Sequence, residues 1–517
     1  MSLSRRDLIK TAVAATVAVR AKGQSLPAGV TIEPGPFNPL DSSLQNYKCP
    51  EWFSDAKFGI WAHWGPQSAA GAGDWYARNM YMEGSAQYQY HLKHYGHPSK
   101  VGFKDVIPTW KAERFEPQAL MRLYRQAGAK YFFSMGVHCD NFDLWNSRHH
   151  RWNAVKMGPK KDIVSMFRDA ARAEGLRFGV SEHVWGSYNW WVTNKGADKQ
   201  GPYAGVPYDG NDPANQDLYF PPHPPTKEAW AEQGNEPDSW KREWFIRIKD
   251  LIDQIQPDIV YADGALPFGV YGRSLVAHFY NQSLRWHSGK MDVLYTSKRR
   301  SDCEVGTCVL DVERGVVDEI WPRSWQTDTC VGDWHYKRDV HYKTPKTVID
   351  LLVDIVSRNG NLLLNFPLPG SGALDDSELK ILASITDWVK VNSEAIYSTR
   401  PWKIFGEGPG IRKTAPGAGM IGTPEHFNEA KRVDLTSADV RFTTKGETLY
   451  AFAMGWPSSE FVFEALAPKR GLYAGKVKRV EMLGHSGPLQ WKHDDNGLRV
   501  QAPAQKPCEH AVAFRIV

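Results

Sequence analysis

The sequence predicts an α/β protein, a (β/α)8-like, TIM-type barrel followed by a C-terminal β-sandwich, and three observations predict it. Over residues 51–400 short β-branched and aromatic runs alternate with amphipathic helical stretches, the rhythm of a parallel sheet covered by helices. Nearly every one of those runs closes on a titratable or strongly hydrogen-bonding side chain, which a barrel would gather on one rim. Beyond residue 400 the helical period stops and strand and hairpin patterns replace it. A chain of 517 residues has room for a barrel of about 250–400 residues and a smaller second unit.

Taken in order, the chain begins with Ser4-Arg5-Arg6-Asp7-Leu8-Ile9-Lys10 and a short apolar run to Val19. A charged start, paired arginines and a brief apolar core resemble a bacterial twin-arginine export signal, expected over residues 1–23, with 24–50 as a linker. A periplasmic or secreted location is the corresponding expectation. No later apolar run approaches the 18 residues that a spanning helix needs, so no stable membrane insertion is expected.

The barrel, expected over 51–400, offers seven candidate strands: 57–63, 131–138, 177–183, 258–263, 292–297, 309–313 and 361–366. Seven rather than eight implies one weak or missing repeat. Helical stretches are expected near 116–129, 240–255, 345–358 and 376–392, the last with Leu379, Leu382 and Val389 in register. Another follows Asp162, a plausible N-cap, with Ile163, Phe167, Ala170 and Ala171 on one face. The Pro- and Gly-rich stretch 195–235 reads as a long loop over the open end. Past the barrel, Leu449-Tyr450-Ala451-Phe452-Ala453, the Asn496-Gly497 turn and Val512-Ala513-Phe514-Arg515-Ile516 predict a β-sandwich over 401–517.

Composition narrows the function. With 63 Lys and Arg against 58 Asp and Glu, and no basic stretch interleaved with aromatics, nucleic acid is not an expected partner. The 21 Trp, 21 Tyr and 22 Phe supply flat apolar faces with polar edges, suited to the C–H faces of sugars as well as to a core. Six cysteines follow no zinc spacing, although Cys303 and Cys308 could pair. No metal-ligand spacing occurs around His63 or His138, so neither metal nor other cofactor is expected, and oligomerisation is left open.

The strand ends carry the chemistry. His63, His138, Glu182 with His183, Asp263, Lys298, Glu313 and Asn365 would meet on one rim. Asp263 closes Ile259-Val260-Tyr261-Ala262 and precedes Gly264, so it leaves the sheet with little backbone behind it. Two carboxylates on a rim suit hydrolysis of a glycosidic bond, in which one supports the cationic anomeric carbon and the other protonates the leaving oxygen. Asp263 suits the nucleophile and Glu313 the acid/base.

At this point particular motifs coincide with a known family. Lys57-Phe58-Gly59-Ile60-Trp61-Ala62-His63-Trp64-Gly65 resembles the KFGIFIHWG signature of α-L-fucosidases, glycoside hydrolase family 29. Asp74-Trp75-Tyr76-Ala77-Arg78-Asn79-Met80 resembles EWYxxNM. Val137-His138-Cys139-Asp140-Asn141-Phe142-Asp143-Leu144-Trp145 resembles the KHHDGFxLW region, Tyr261-Ala262-Asp263-Gly264 resembles WFDG, and Asn359-Gly360-Asn361-Leu362-Leu363-Leu364-Asn365 resembles NGNLLLN.

The resemblance implies a retaining exo-glycosidase acting on terminal α-L-fucose of a glycan or oligosaccharide. It implies Asp263 as nucleophile, His63 and His138 on the sugar hydroxyls, and Trp75 and Trp334 as pocket walls, Trp334 lying in Asp333-Trp334-His335-Tyr336, similar to SWGY. Glu313 is the best acid/base match, with Glu304 and Glu319 as rivals. Asp74, Cys139, His183, Tyr261 and Lys298 complete the expected substrate-contacting set. Several of these depart from the family pattern: Cys139 replaces a histidine, Asp74 a glutamate, Tyr261 a tryptophan, and Lys298-Arg299-Arg300 stands near NDR. These departures keep two further readings open, a modified or α-L-galactose-like sugar, and a carbohydrate-binding protein without catalysis.

Overall fold

Eight parallel strands close into a barrel in chain order: β1 (Phe58–Ala62), β2 (Tyr131–Val137), β3 (Arg177–Glu182), β4 (Ile259–Ala262), β5 (Leu294–Ser297), β6 (Val309–Glu313), β7 (Trp325–Cys330) and β8 (Gly360–Asn365). The structure, a computed structural model, describes residues 26–224, 235–411 and 426–517; the export signal expected at 1–23 lies outside them. The repeat expected to be weak or missing is β7, and it is present. Its inward side chains are polar, because Gln326 and Asp328 hydrogen-bond across the barrel instead of packing on aliphatic neighbours. Such a strand shows neither an apolar run nor apolar alternation, the two patterns by which strands are recognised.

The lumen is wired as well as packed. Gly59 on β1 leaves room for the Tyr131 ring, since a Cβ there would stand 2.1 Å from it. Tyr131 Oη donates to Gln326 Oε1 (3.0 Å), and Gln326 Nε2 donates to Asp311 Oδ2 (2.7 Å). Asp311 in turn lies 3.8 Å from Lys298 Nζ, nearer the rim. Around this column the strands are buried along almost their whole length.

Helices Pro117–Gln126, Asp238–Ile255, Pro345–Ser357 and Asp376–Asn392 form where expected, and Asp162 caps Ile163–Ala173 by accepting from Ser165 N (2.9 Å). Leu379, expected on the buried stripe of Asp376–Asn392, is 40% exposed; Ile381, Leu382, Ile385, Trp388 and Val389 form that stripe. Helix Val270–Trp286 was not legible beforehand. It is buried nearly all round and carries polar residues inside, so it lacks a clean apolar face. Its Asn281 serves the N-terminal segment, accepting from Phe37 N (3.0 Å) and donating to Glu33 O (2.8 Å). The stretch at 195–235 is more ordered than a bare loop, with short helical turns at Asp209–Asn211, Pro213–Asn215 and Gln216–Tyr219 among its described residues. No helix among the described residues is long and apolar enough to cross a membrane.

The C-terminal region is two antiparallel sheets. One is ordered β13-β16-β11-β10-β9 and the other β12-β15-β14, where β9 is Arg400–Glu407, β10 Val440–Lys445, β11 Thr448–Ala453, β12 Glu460–Phe463, β13 Val480–Met482, β14 Trp491–Asp494, β15 Gly497–Gln501 and β16 Val512–Ile516. Phe461 and Phe463 of the smaller sheet meet Phe514 of the larger, with ring centroids 4.8 and 5.1 Å apart, so one core serves both. The sheets are tied to the barrel by a buried ion pair, Arg441 Nε to Asp354 Oδ1 (2.5 Å). A second tie crosses the boundary expected at residue 400: His426 and Phe427 hydrogen-bond to the backbone of Glu313. Cys303 and Cys308 are free, buried thiols whose sulfurs lie 3.0 Å apart.

Candidate active site

Asp263 follows β4 directly and its N–H donates to Glu182 O (3.2 Å), the last residue of neighbouring β3. Gly264 behind it has φ 154°, and a Cβ there would meet the Trp185 ring at 2.8 Å; Trp185 Nε1 donates to Asp263 O (3.1 Å). Glycine is therefore required by the close approach of that ring. His63 follows β1 with its N–H donating to Asn365 Oδ1 (2.8 Å), and Asn365 Nδ2 donates to Trp334 O (2.9 Å), which fixes the loop carrying Trp334. Cys139 donates its thiol to His183 O (3.1 Å). Glu313 closes β6.

Lys298, just past β5, is the hub. Its Nζ lies 2.7 Å from Glu313 Oε2, 3.2 Å from Asp263 Oδ1 and 3.2 Å from Asp328 Oδ2. Two contacts through one nitrogen hold Asp263 Oδ1 and Glu313 Oε2 no further apart than the contacts laid end to end, about 5.9 Å. Asp263 also has its other oxygen 3.0 Å from His183 Nδ1, and Tyr261 Oη stands 3.2 Å from Oδ1. Glu313 N donates to His426 Nδ1 (3.0 Å), whose Nε2 donates to Lys298 O (3.1 Å). This neutral imidazole, held down to about 4 by burial and then by Lys298, sets the ends of β5 and β6 relative to each other.

The electrostatics separate the two acids. Burial alone would raise Asp263, but Lys298 and His183 outweigh it and hold the carboxyl well below the usual carboxylate range. Glu313 is pushed up to about 7, chiefly by burial and further by the Asp263 and Asp328 charges, against the pull of Lys298. Desolvation would lower Lys298, yet the surrounding acidic groups of Asp328, Glu313, Asp263 and Asp311 hold it well above its ordinary value. The site thus keeps one acid ionised and the other protonated near neutrality, which suits a nucleophile and a proton donor.

Both acids open into one cavity of about 280 Å³, at the small end of ligand sites, which run roughly 300–1,000 Å³. His63, Asp74, Trp75, His138, Cys139, His183, Tyr261 and Trp334 line it with Asp263 and Glu313. Trp75 adopts φ 59°, a left-handed conformation costing roughly 1 kcal/mol or more. Lys298 does not line the cavity: only 1% of its side chain is exposed, and it sits behind the carboxylates. Glu304 and Glu319, the rival acids, are exposed and do not line it.

The fold also gathers residues that the sequence did not suggest. Trp61 packs against His63, His183, Tyr261 and Trp334 at centroid distances of 5.0–5.9 Å. His335 Nδ1 lies 2.6 Å from Asp74 Oδ1. Trp185, Asp328 and Phe427 complete the wall. The only available signal was position: Trp61 lies on an expected strand and His335 stands beside Trp334, whereas Asp328 lies on the strand that the sequence did not reveal. Burial pushes His63 and His138 well below the ordinary imidazole value, helped by neighbouring histidines. His63, Asp74, His138 and His335 bring ligand-capable atoms within 4.8 Å of one another. Spacing could not reveal this set, which comes from two strand ends and two loops. Imidazoles beside a carboxylate could hold a metal ion, and they equally present donors and acceptors to sugar hydroxyls.

Residues 26–394 match the family model described as Alpha-L-fucosidase, and residues 433–517 match that of the Alpha-L-fucosidase C-terminal domain. The plasma alpha-L-fucosidase of Homo sapiens is 26% identical over 507 residues, covering 93% of this chain and 92% of that protein. The tissue alpha-L-fucosidase of Mus musculus is 25% identical, covering 94% of each. Among solved structures, the Thermotoga maritima alpha-fucosidase in complex with fucose superposes with a TM-score of 0.69 at 23% identity, covering 93% of this chain and all of that one. A Bacteroides thetaiotaomicron alpha-L-fucosidase trapped as a covalent intermediate gives a TM-score of 0.60 at 16% identity, covering 95% of this chain and 100% of that one.

Proposed function

The chain belongs to the α-L-fucosidase family of glycoside hydrolases, and on that premise we propose that it is an exported retaining exo-glycosidase that removes terminal α-L-fucose from glycans. The observation that carries this reading is the pair of carboxyl groups sharing one buried ammonium, within about 5.9 Å, on one small cavity. Retention needs about 5–5.5 Å between the two groups, whereas inversion needs about 6.5–9.5 Å to seat a water.

Asp263, ionised, attacks the anomeric carbon as the C–O bond to the aglycone breaks. Glu313 gives its proton to the departing oxygen, and a glycosyl ester to Asp263 remains. Glu313, now a carboxylate, takes a proton from water, whose oxygen attacks the same carbon and returns the Asp263 carboxylate. Two inversions keep the configuration. Lys298 stabilises whichever acid is charged. His63 and His138 bind hydroxyls, while Trp75 and Trp334 cover the C–H faces of the sugar. The dimensions of the cavity favour one terminal residue.

The direct test is Asp263→Asn assayed on an aryl α-L-fucoside, with near-complete loss of turnover expected; unchanged turnover would remove the role given to Asp263. Asp74 and Cys139 on the cavity wall favour a second reading, the same mechanism on a modified fucose or an α-L-galactose-like sugar. A panel of aryl glycosides separates the two, since fucoside turnover far above all others eliminates the second. Export rests on the charged start, the Arg5-Arg6 pair and the apolar run to Val19, and fractionation of cells producing the full chain checks it.

A further inference from the structure

Asp328 has no part in the mechanism above, yet it is buried, reaches the rim from β7, and touches two groups that hold the catalytic acids. We propose that Asp328 is a positioning residue for the reaction: by accepting from both Lys298 and Tyr261, it divides the buried ammonium among three carboxylates and so keeps Glu313 a proton donor. The inference rests on Glu313 acting as the acid.

The geometry is one of saturation. An ammonium has three N–H donors, and Lys298 Nζ has three acceptors at hydrogen-bonding range: Glu313 (2.7 Å), Asp263 (3.2 Å) and Asp328 (3.2 Å). With Asp328 removed, the same positive charge would be shared by the two catalytic acids alone, and Glu313 would release its proton more readily. Tyr261 adds a second constraint. Its single hydroxyl proton faces Asp328 Oδ2 at 3.0 Å and Asp263 Oδ1 at 3.2 Å, so Asp328 competes for a donor that would otherwise blunt the nucleophile.

Other groups facing this cluster do not replace Asp328. Asp311 stands farthest from the ammonium, at 3.8 Å, and its carboxyl group is already engaged by Gln326 Nε2 (2.7 Å), while burial and then Asp328 push it well above the carboxylate range. His426 is neutral and serves backbone groups. His183 contacts Asp263 and not Glu313, and Arg314 follows Glu313 on the cavity wall as a second cation. Asp328 is therefore the anion that offsets the Lys298 charge next to Glu313.

The test is the pH dependence of kcat/KM on phenyl α-L-fucoside, whose poor leaving group needs protonation, for the wild type, Asp328→Asn and Asp328→Glu. Loss of a neighbouring charge is expected to lower the basic-limb midpoint by about one pH unit in Asp328→Asn, with Asp328→Glu close to the wild type. A midpoint is independent of the fraction of enzyme folded. Should the asparagine variant not accumulate, Asp328→Ser poses the same question with a smaller neutral side chain. An unmoved or raised midpoint, or equal shifts in the neutral and glutamate variants, overturns the proposal while leaving the fucosidase reading intact. Absence of hydrolysis by the wild type overturns both.

Discussion

His183 Nδ1 lies 3.0 Å from Asp263 Oδ2, a contact between the ends of adjacent strands β3 and β4. With Lys298 and Tyr261 on the other oxygen, the carboxylate is fixed from both sides before any sugar arrives. Preorganisation of this kind removes the cost of orienting the nucleophile during the reaction.

A fixed nucleophile on the same cavity as the acid predicts the stereochemistry. Proton NMR during hydrolysis of an aryl α-L-fucoside is expected to show α-L-fucose before mutarotation. Asp263→Gly with added azide is expected to give the β-L-fucosyl azide, and release of β-L-fucose by the native enzyme would show inversion instead.

Glu313→Gln is expected to slow hydrolysis of poorly activated fucosides by about 10²–10⁴-fold, the usual worth of general acid catalysis. A 2,4-dinitrophenyl leaving group, which needs no proton, should suffer far less in the first step. Glu304→Gln and Glu319→Gln, on exposed residues away from the cavity, should leave rates near those of the native enzyme.

The opposed environments of the two acids set the pH profile. Glu313, raised to about 7, is protonated below that pH and loses its proton above it, so kcat/KM should fall on the alkaline side with a midpoint near pH 7. Asp263 is held well below the usual range and stays ionised throughout mildly acidic conditions, so activity should persist there. A profile rising through pH 8 would contradict this assignment.

Lys298→Met leaves the buried carboxylate of Asp328 without its cation. Removing one partner of a buried charge cluster costs about 3–5 kcal/mol, read as a lowered thermal unfolding temperature. The variant should also lose activity, since both catalytic acids lose their common donor.

Asp354→Asn tests the tie between barrel and sheets. Burial would raise Asp354, but Arg358 and Arg441 outweigh it and hold the carboxyl far below its ordinary value. A depressed folded-state value contributes stability that is present above the unfolded value, about 3.9, and is lost as pH falls through the folded one. The substitution should therefore cost about 3–5 kcal/mol at pH 7 by leaving a buried arginine unpaired, and the gap from the native protein should narrow only in strong acid.

Local pattern alone determined the barrel, seven of its strands and the carboxylate that closes β4. Apolar runs, helical period and strand-terminal polar groups are properties of neighbouring residues, readable without the fold. The strand ends also gave Glu313, His63 and His138, and the family motifs added Trp75 and Trp334; all five meet on one cavity. What the chain order could not convey is which polar groups face one another across the lumen. β7 was invisible because Gln326 and Asp328 accept hydrogen bonds from Tyr131 and Tyr261, on strands far away in sequence. Lys298 looked like a sugar contact but lies behind both acids, and His335 and His426 join the site from loops with no spacing relation to it. Tertiary structure decided the protonation of the two acids, because burial and a shared ammonium depend on through-space distance, whereas sequence encodes only distance along the chain.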